Sequence, residues 1–366
     1  MPVPLFDTAS TLGPLRDEFL ARIRDVVESS KFILGPEVAA FEREFAAYCG
    51  TRYAIGVANG TDALTIALRA MGVGRGDDVV VPSFSFYASA EAIPPTGARP
   101  VFCDIDPDTF CVTAETVRRA LTPRTKAVMA VHLFGNVAPV GEIEALGVPV
   151  LEDAAQAAGS TSMQGRPGAL GRAGTFSFFP SKNLPCFGDG GAVTTDDDEL
   201  AERVRMLRFH GSRDKVSYEH VGYNSRLDEL QAAILRVALP HLDAWSDGRR
   251  EAAGHYERAG LGELVRLPRA LPGTAPAWHL FVIRHEHPDV LTRALAEQEH
   301  GHRAYYRVPI HLQPAMAPYA EGVELPGTEA AASTHLAIPM SPVLSAEQAS
   351  AVTEAIRSVV QAESVA

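Results

Sequence analysis

Between Arg52 and Thr195 short apolar runs alternate with stretches whose apolar residues recur at helical spacing. The runs Tyr53 to Val57, Asp78 to Val81, Pro100 to Ile105, Ala127 to Val131, Val148 to Leu151, Thr175 to Phe178 and Ala192 to Thr194 are rich in Val, Ile and Phe, and turn residues bound them. That pattern predicts strands. Between them, groups such as Leu64, Leu68, Met71 and Val117, Ala120, Leu121 predict helices. The βαβα order implies an α/β fold, a mainly parallel sheet with helices on both faces. After Asn224, the residues Leu227, Leu230, Ile234, Val237 and Ala238 form an apolar stripe of helical period. Beyond Trp245 the pattern changes to a polar helix, a strand at Leu280 to Ile283, a helix near Val290 to Glu297 and a last helix opening at Ser345, where Ser345 and Gln348 fit a capping box. We expect a large α/β domain over residues 1–247, with an N-terminal helical segment, and a smaller C-terminal α+β domain over residues 248–366. No internal repeat or low-complexity tract interrupts this order.

Charge and composition narrow the function classes. Thirty-three Lys plus Arg against 45 Asp plus Glu leave a formal charge of −12, which argues against a nucleic-acid partner. The four cysteines, Cys49, Cys103, Cys111 and Cys186, include no CxxC pair, and a chain of 366 residues needs no disulfide staples. No apolar run approaches the roughly 20 residues that span a bilayer, and the chain opens with Pro, Asp and Thr rather than a basic and then apolar signal. A soluble cytoplasmic protein with no membrane partner is expected.

Open α/β sheets bind ligands at the carboxyl edge of their strands, and the polar residues collect there. Asn59-Gly60-Thr61-Asp62 follows a strand and opens a helix, which suits a phosphate at the helix N-terminus; alone it reads more readily as a turn capped by Thr61 or Asp62. Glu152-Asp153-Ala-Ala-Gln156 ends a buried strand with a carboxylate, which needs a cationic or hydrogen-bonded partner. Thr175-Phe-Ser177-Phe-Phe-Pro-Ser-Lys182 sets a lysine just past an apolar strand, and desolvation there favours the neutral amine that Schiff-base chemistry uses. Gly188-Asp-Gly-Gly191 and Gly222-Tyr-Asn224-Ser-Arg226 add two permissive turns. Each motif is weak by itself. Together a phosphate cradle, a buried acid and a post-strand lysine are the parts that pyridoxal 5'-phosphate requires.

These residues carry a close resemblance to the DegT/DnrJ/EryC1/StrS sugar aminotransferases, a pyridoxal-phosphate group of fold type I. It runs from Phe32-Ile-Leu-Gly-Pro36 through Asn59-Gly-Thr-Asp-Ala-Leu64, Val81-Pro-Ser-Phe-Ser-Phe86, Val131-His-Leu-Phe-Gly135, Glu152-Asp-Ala-Ala-Gln156 and Phe176 to Lys182 into Pro309-Ile-His311. The resemblance implies Lys182 as the Schiff-base lysine and proton carrier, Asp153 as the acid on the pyridine nitrogen, and Gln156 as the partner of the ring hydroxyl. It also implies Phe86 stacked on the ring, and Gly60, Thr61 and Ser177 on the phosphate. Asn224 would reach the phosphate from a neighbouring subunit, so a homodimer with shared sites is implied, and Arg226, Tyr305 and His311 would line the substrate pocket. A related branch carries histidine in place of the lysine and dehydrates its sugar, so Lys182 favours transamination. The implied reaction moves the amino group of L-glutamate onto a nucleotide-linked 3-keto or 4-keto sugar in a ping-pong cycle; a keto-cyclitol acceptor and a non-catalytic regulatory relative are the alternatives. Pro185-Cys186 departs from the family's usual small residues, which implies a narrower pocket beside Lys182.

Two other chemistries fit poorly. Gly72-Val-Gly-Arg-Gly76 follows a helix and precedes a strand, the reverse of a dinucleotide fingerprint. His285-Glu-His287 and His300-Gly-His302 have no nearby cysteine and read as solvated loop residues rather than metal ligands.

Overall fold

In the computed structural model, which describes residues 2–363, the apolar runs assemble into one seven-stranded sheet. Its strands are β1 (Tyr53–Val57), β2 (Asp78–Pro82), β3 (Arg99–Cys103), β4 (Thr125–Val131), β5 (Val150–Asp153), β6 (Ala173–Ser177) and β7 (Gly191–Thr195). The spatial order is β1-β7-β6-β5-β4-β2-β3. β7 runs antiparallel to both of its neighbours, and the remaining pairs are parallel. Every residue of β2, β5 and β7 is buried, as in strands covered on both faces.

Four helices position the site: α1 (Pro36–Cys49), α2 (Gly60–Ala70), α3 (Glu229–Ala238) and α4 (Leu242–Arg258). On one face of the sheet Phe45 of α1 meets Phe176 and Phe178 edge-on, with ring centroids 4.9 and 5.3 Å apart. α2 buries Leu64, Ile66, Ala67 and Leu68 in the main core. Glu229 of α3 accepts the N–H groups of Gly35, Glu37 and Val38 at 2.8 Å each, so a carboxylate from a distant helix satisfies the free donors that open α1. A Cβ on Gly35 would lie 2.8 Å from Glu229 Oε2, so that approach requires glycine. The cap of α2 differs from the sequence reading. Asn59 accepts the Asp62 N–H at 2.8 Å, because Asn59 keeps extended backbone and the helix is already under way at Gly60. Thr61 and Asp62 are therefore inside the first turn and not its cap.

In the C-terminal third, β8 (Phe281–Arg284) pairs antiparallel with β9 (His335–Ile338), a strand that the periodicity did not predict. α5 (Pro288–Glu297) and α6 (Ala346–Glu363) pack beside them. α6 opens on the expected reciprocal cap: the Ser345 N–H donates to Gln348 Oε1 at 2.9 Å and the Gln348 N–H to Ser345 Oγ at 3.2 Å. α4 is continuous across positions 247 and 248. It carries Leu242 in a cluster against the large sheet and Tyr256 in the C-terminal core. Leu280, Val282 and Ala337 turn the other way and join the main core. His300 is not solvated as expected: it is buried, and its Nδ1 accepts the Val3 N–H at 3.3 Å.

Candidate active site

The carboxyl ends of β1, β5 and β6 open on a cavity of about 770 Å³. Asn59, Gly60 and Thr61, the entry to α2, line one end of it, where helix N–H groups have no acceptor within the helix. Ser177 at the end of β6 lies against them, and a Cβ on Gly60 would stand 2.7 Å from Ser177 Cβ. Only glycine lets the backbone come that close, so the loop forms a cradle with small walls.

Consecutive acids end β5, and strand alternation sends them to opposite faces. Glu152 faces inward and accepts the N–H groups of Gly168, Leu170 and Gly171 and a bond from His132 Nε2. It is structural. Asp153 faces the cavity, is 5% exposed, accepts from Ser89 Oγ at 2.7 Å and takes the Ala155 N–H at 3.2 Å. Ser89 is itself within 2.8 Å of Ser85 Oγ, so the carboxylate is held from behind. A turn closed by the Lys182 N–H to Phe179 O, 2.8 Å, brings Lys182 to the same cavity. Burial pushes the Lys182 pKa down to about 8, and the Asp153 carboxylate opposes that shift only partly. Its amine is thus a nucleophile near neutral pH. Pro185 and Cys186 do not line the cavity; Cys186 is buried with its thiol on Phe178 O.

Gln156 and Tyr305 line the cavity as well, and Phe86 is 56% exposed on its wall rather than packed in the core. His311 does not line it. The imidazole is buried behind, with Nδ1 2.6 Å from Ser83 Oγ, and the His311 backbone N–H donates to the same oxygen at 3.0 Å. Asn224 is exposed and Arg226 half-buried, and neither borders the cavity of its own chain. Sequence reasoning missed Ser89, His279 and Tyr306. His279 is buried on the cavity wall, where burial, Lys182 and Arg249 hold it well below the usual histidine range and therefore neutral. The adjacent Tyr305-Tyr306 pair was the one signal that pointed to Tyr306; Ser89 and His279 carried none, since a lone serine or histidine has no spacing to read.

The family model for the DegT/DnrJ/EryC1/StrS aminotransferase family matches residues 14–357. A dTDP-3-amino-3,4,6-trideoxy-alpha-D-glucose transaminase of Streptomyces venezuelae is 46% identical over 363 residues, covering 97% of this chain and 95% of that protein. A pleiotropic regulatory protein of Geobacillus stearothermophilus is 45% identical over 365 residues, covering 97% and 98%. Among solved structures, S. venezuelae DesV in complex with a ketimine intermediate superposes with a TM-score of 0.95 at 45% identity, over 99% of each chain.

Proposed function

The chain belongs to the DegT/DnrJ/EryC1/StrS aminotransferase family, with the fold-type I architecture of its relatives, and from that membership we propose that it aminates a nucleotide-linked keto sugar at the expense of L-glutamate. The observation that carries this reading is the desolvated Lys182 amine and the buried Asp153 carboxylate on one cavity beside the Gly60 cradle. Pyridoxal 5'-phosphate fits that donor set, and when bound it supplies an electron sink for the carbon that exchanges its amino group.

In this reading Gly60, Thr61 and Ser177 receive the phosphate, and the cradle's small walls keep it at the end of α2. Asp153, anchored by Ser89, holds a proton on the pyridine nitrogen. Gln156 donates to the ring oxygen, and Phe86 offers an aromatic face to the ring. Lys182 Nζ is the amine that would hold the aldehyde carbon and that, as a free base, would carry the proton at the reacting carbon. A pKa near 8 suits both tasks, since the amine must be neutral to attack and still basic enough to take a proton. Phe86, Phe179 and Leu280 give the cavity an apolar wall against which the flat ring can lie.

The sugar assignment draws support from relatives named for dTDP- and UDP-linked amino sugars. A homodimer with shared sites is part of the proposal. Asn224 is exposed and does not border the cavity of its own chain, and the segment leading to it leaves Val216, Tyr218 and Val221 exposed, a surface that a second copy would cover. The four buried free cysteines suit a reducing cytosol, and among the described residues no helix is long and apolar enough to cross a membrane.

The deciding experiment has two stages. Glutamate alone should release 2-oxoglutarate from the cofactor-loaded enzyme, and the product form should then aminate a member of a panel of dTDP- and UDP-linked 3-keto and 4-keto sugars and keto-cyclitols, read by mass. Amine on a cyclitol alone would replace the acceptor, and no 2-oxoglutarate from glutamate would replace the donor. Absence of both half-reactions with every donor would leave the regulatory reading that one relative's name suggests.

A further inference from the structure

Gln156 can hold only one orientation. Its Oε1 accepts the buried Phe134 N–H at 2.7 Å, and a flipped carboxamide would set two donors against each other. Nε2 therefore faces the cavity, where it donates to Tyr306 Oη at 3.2 Å. A carboxamide nitrogen carries two hydrogens, so one is committed to Tyr306 and the other is free for a cavity occupant.

Tyr306 is well placed to act as that brace. Its ring sits among Phe84, Phe86 and Tyr305, with centroids 6.4, 6.0 and 5.6 Å away. The segment behind it is pinned to the end of β2: the Ile310 N–H donates to Ser83 O at 2.9 Å, and His311 grips Ser83 Oγ with both its N–H and its ring. Burial pushes the Tyr306 phenol pKa up, so the hydroxyl stays neutral and remains a steady acceptor for Gln156.

We propose that Tyr306 is a positioning residue for the cofactor: its hydroxyl holds the Gln156 carboxamide so that the second Nε2 hydrogen is directed at the ring oxygen of pyridoxal phosphate. The inference rests on the cofactor reading above. A donor on that oxygen draws electron density from it and weakens its hold on the proton shared with the Lys182 nitrogen. Without the brace the oxygen keeps that proton to higher pH.

The test is a pH titration of the visible absorption band, with cofactor affinity measured in parallel, on reconstituted wild type, Tyr306→Phe, Gln156→Leu and the double variant. Phenylalanine preserves the ring packing, and Tyr305→Phe serves as a control for loss of a neighbouring hydroxyl. The Tyr306→Phe midpoint should rise by about half a unit to one unit, the worth of one hydrogen bond. Gln156→Leu should shift it in the same direction, and the double variant no further than Gln156→Leu, because the two act in series. A Tyr306→Phe midpoint equal to that of wild type, or an additive double variant, overturns the inference. Failure of the wild type to take up the cofactor at all would instead overturn the cofactor reading.

Discussion

Ser89 and Asp153, 64 positions apart in the chain, share a 2.7 Å hydrogen bond in which the serine hydroxyl donates to Oδ2. Both side chains are buried, so the bond aims the carboxylate into the cavity and keeps it from turning back toward the sheet. Ser89→Ala should slow the glutamate half-reaction by about tenfold, the worth of one hydrogen bond to a charged group. Asp153→Asn should slow it by at least about a hundredfold, since a neutral amide cannot hold a positive ring nitrogen. Single-turnover release of 2-oxoglutarate measures both, and an Asp153→Asn rate near wild type would refute the role of the acid.

Lys182 predicts a pH-dependent stability in the cofactor-free chain. Its folded pKa of about 8 lies below the ordinary 10.5, so the folded state binds this proton more weakly than the unfolded chain. The cost of burying the charge is then complete below about pH 8 and disappears as pH rises toward 10.5. Lys182→Met keeps the stem and removes the charge. It should be more stable than wild type near neutral pH, by a margin that shrinks through that window in urea titrations. A margin independent of pH would mean that the amine is solvated. In the loaded wild type, borohydride should fix the cofactor mass on the peptide containing Lys182 and on no other.

The contact between Gly60 and Ser177 makes a size prediction. Gly60→Ala would place its methyl 2.7 Å from Ser177 Cβ and push the cradle open. Cofactor affinity should fall by about tenfold or more while the chain stays folded, because the strain is local. Ser177→Gly removes the opposing Cβ along with a phosphate contact, so measured against Ser177→Gly alone the Gly60→Ala step should cost less than it does in the wild type. Equilibrium dialysis of the single and double variants decides it: an affinity unchanged by Gly60→Ala would place the phosphate elsewhere.

Neither Asn224 nor Arg226 borders the cavity of its own chain, which predicts complementation between subunits. A Lys182→Ala chain and an Asn224→Ala, Arg226→Ala chain should each be poorly active alone. In a mixed dimer one site inherits both defects and the other none, so purified heterodimers should recover about half of the wild-type activity. If the Asn224 turn serves its own chain, every mixed site keeps one defect and no recovery is seen.

The strands were legible because most of their residues are buried, which forces apolar runs such as Val79 to Val81. Asp153 and Lys182 were legible for a related reason: a charged residue at the end of an apolar strand conflicts with its surroundings, and the conflict stands out in the sequence. The capping box of α6 was readable too, since its partners are three residues apart. β9 escaped notice because His335, Leu336 and Ala337 carry none of the β-branched and aromatic enrichment that marks β8, and only pairing with β8 makes them a strand.

Tertiary structure decided what stands behind Asp153. Glu152 and Asp153 are chemically near twins; the resemblance singled out Asp153, and the path of the sheet gives the physical reason, with Glu152 on the Gly168–Gly171 amides and Asp153 at the cavity. His311, expected on the substrate wall, became an anchor on Ser83, 228 positions away. Tyr306 meets Gln156 across 150 positions. Local pattern reports how each residue sits relative to its own strand or helix, so it determined the α/β sheet, the lysine and the acid. Partners brought together by the chain's return carry no periodic trace, so packing alone selected Ser89 and Tyr306.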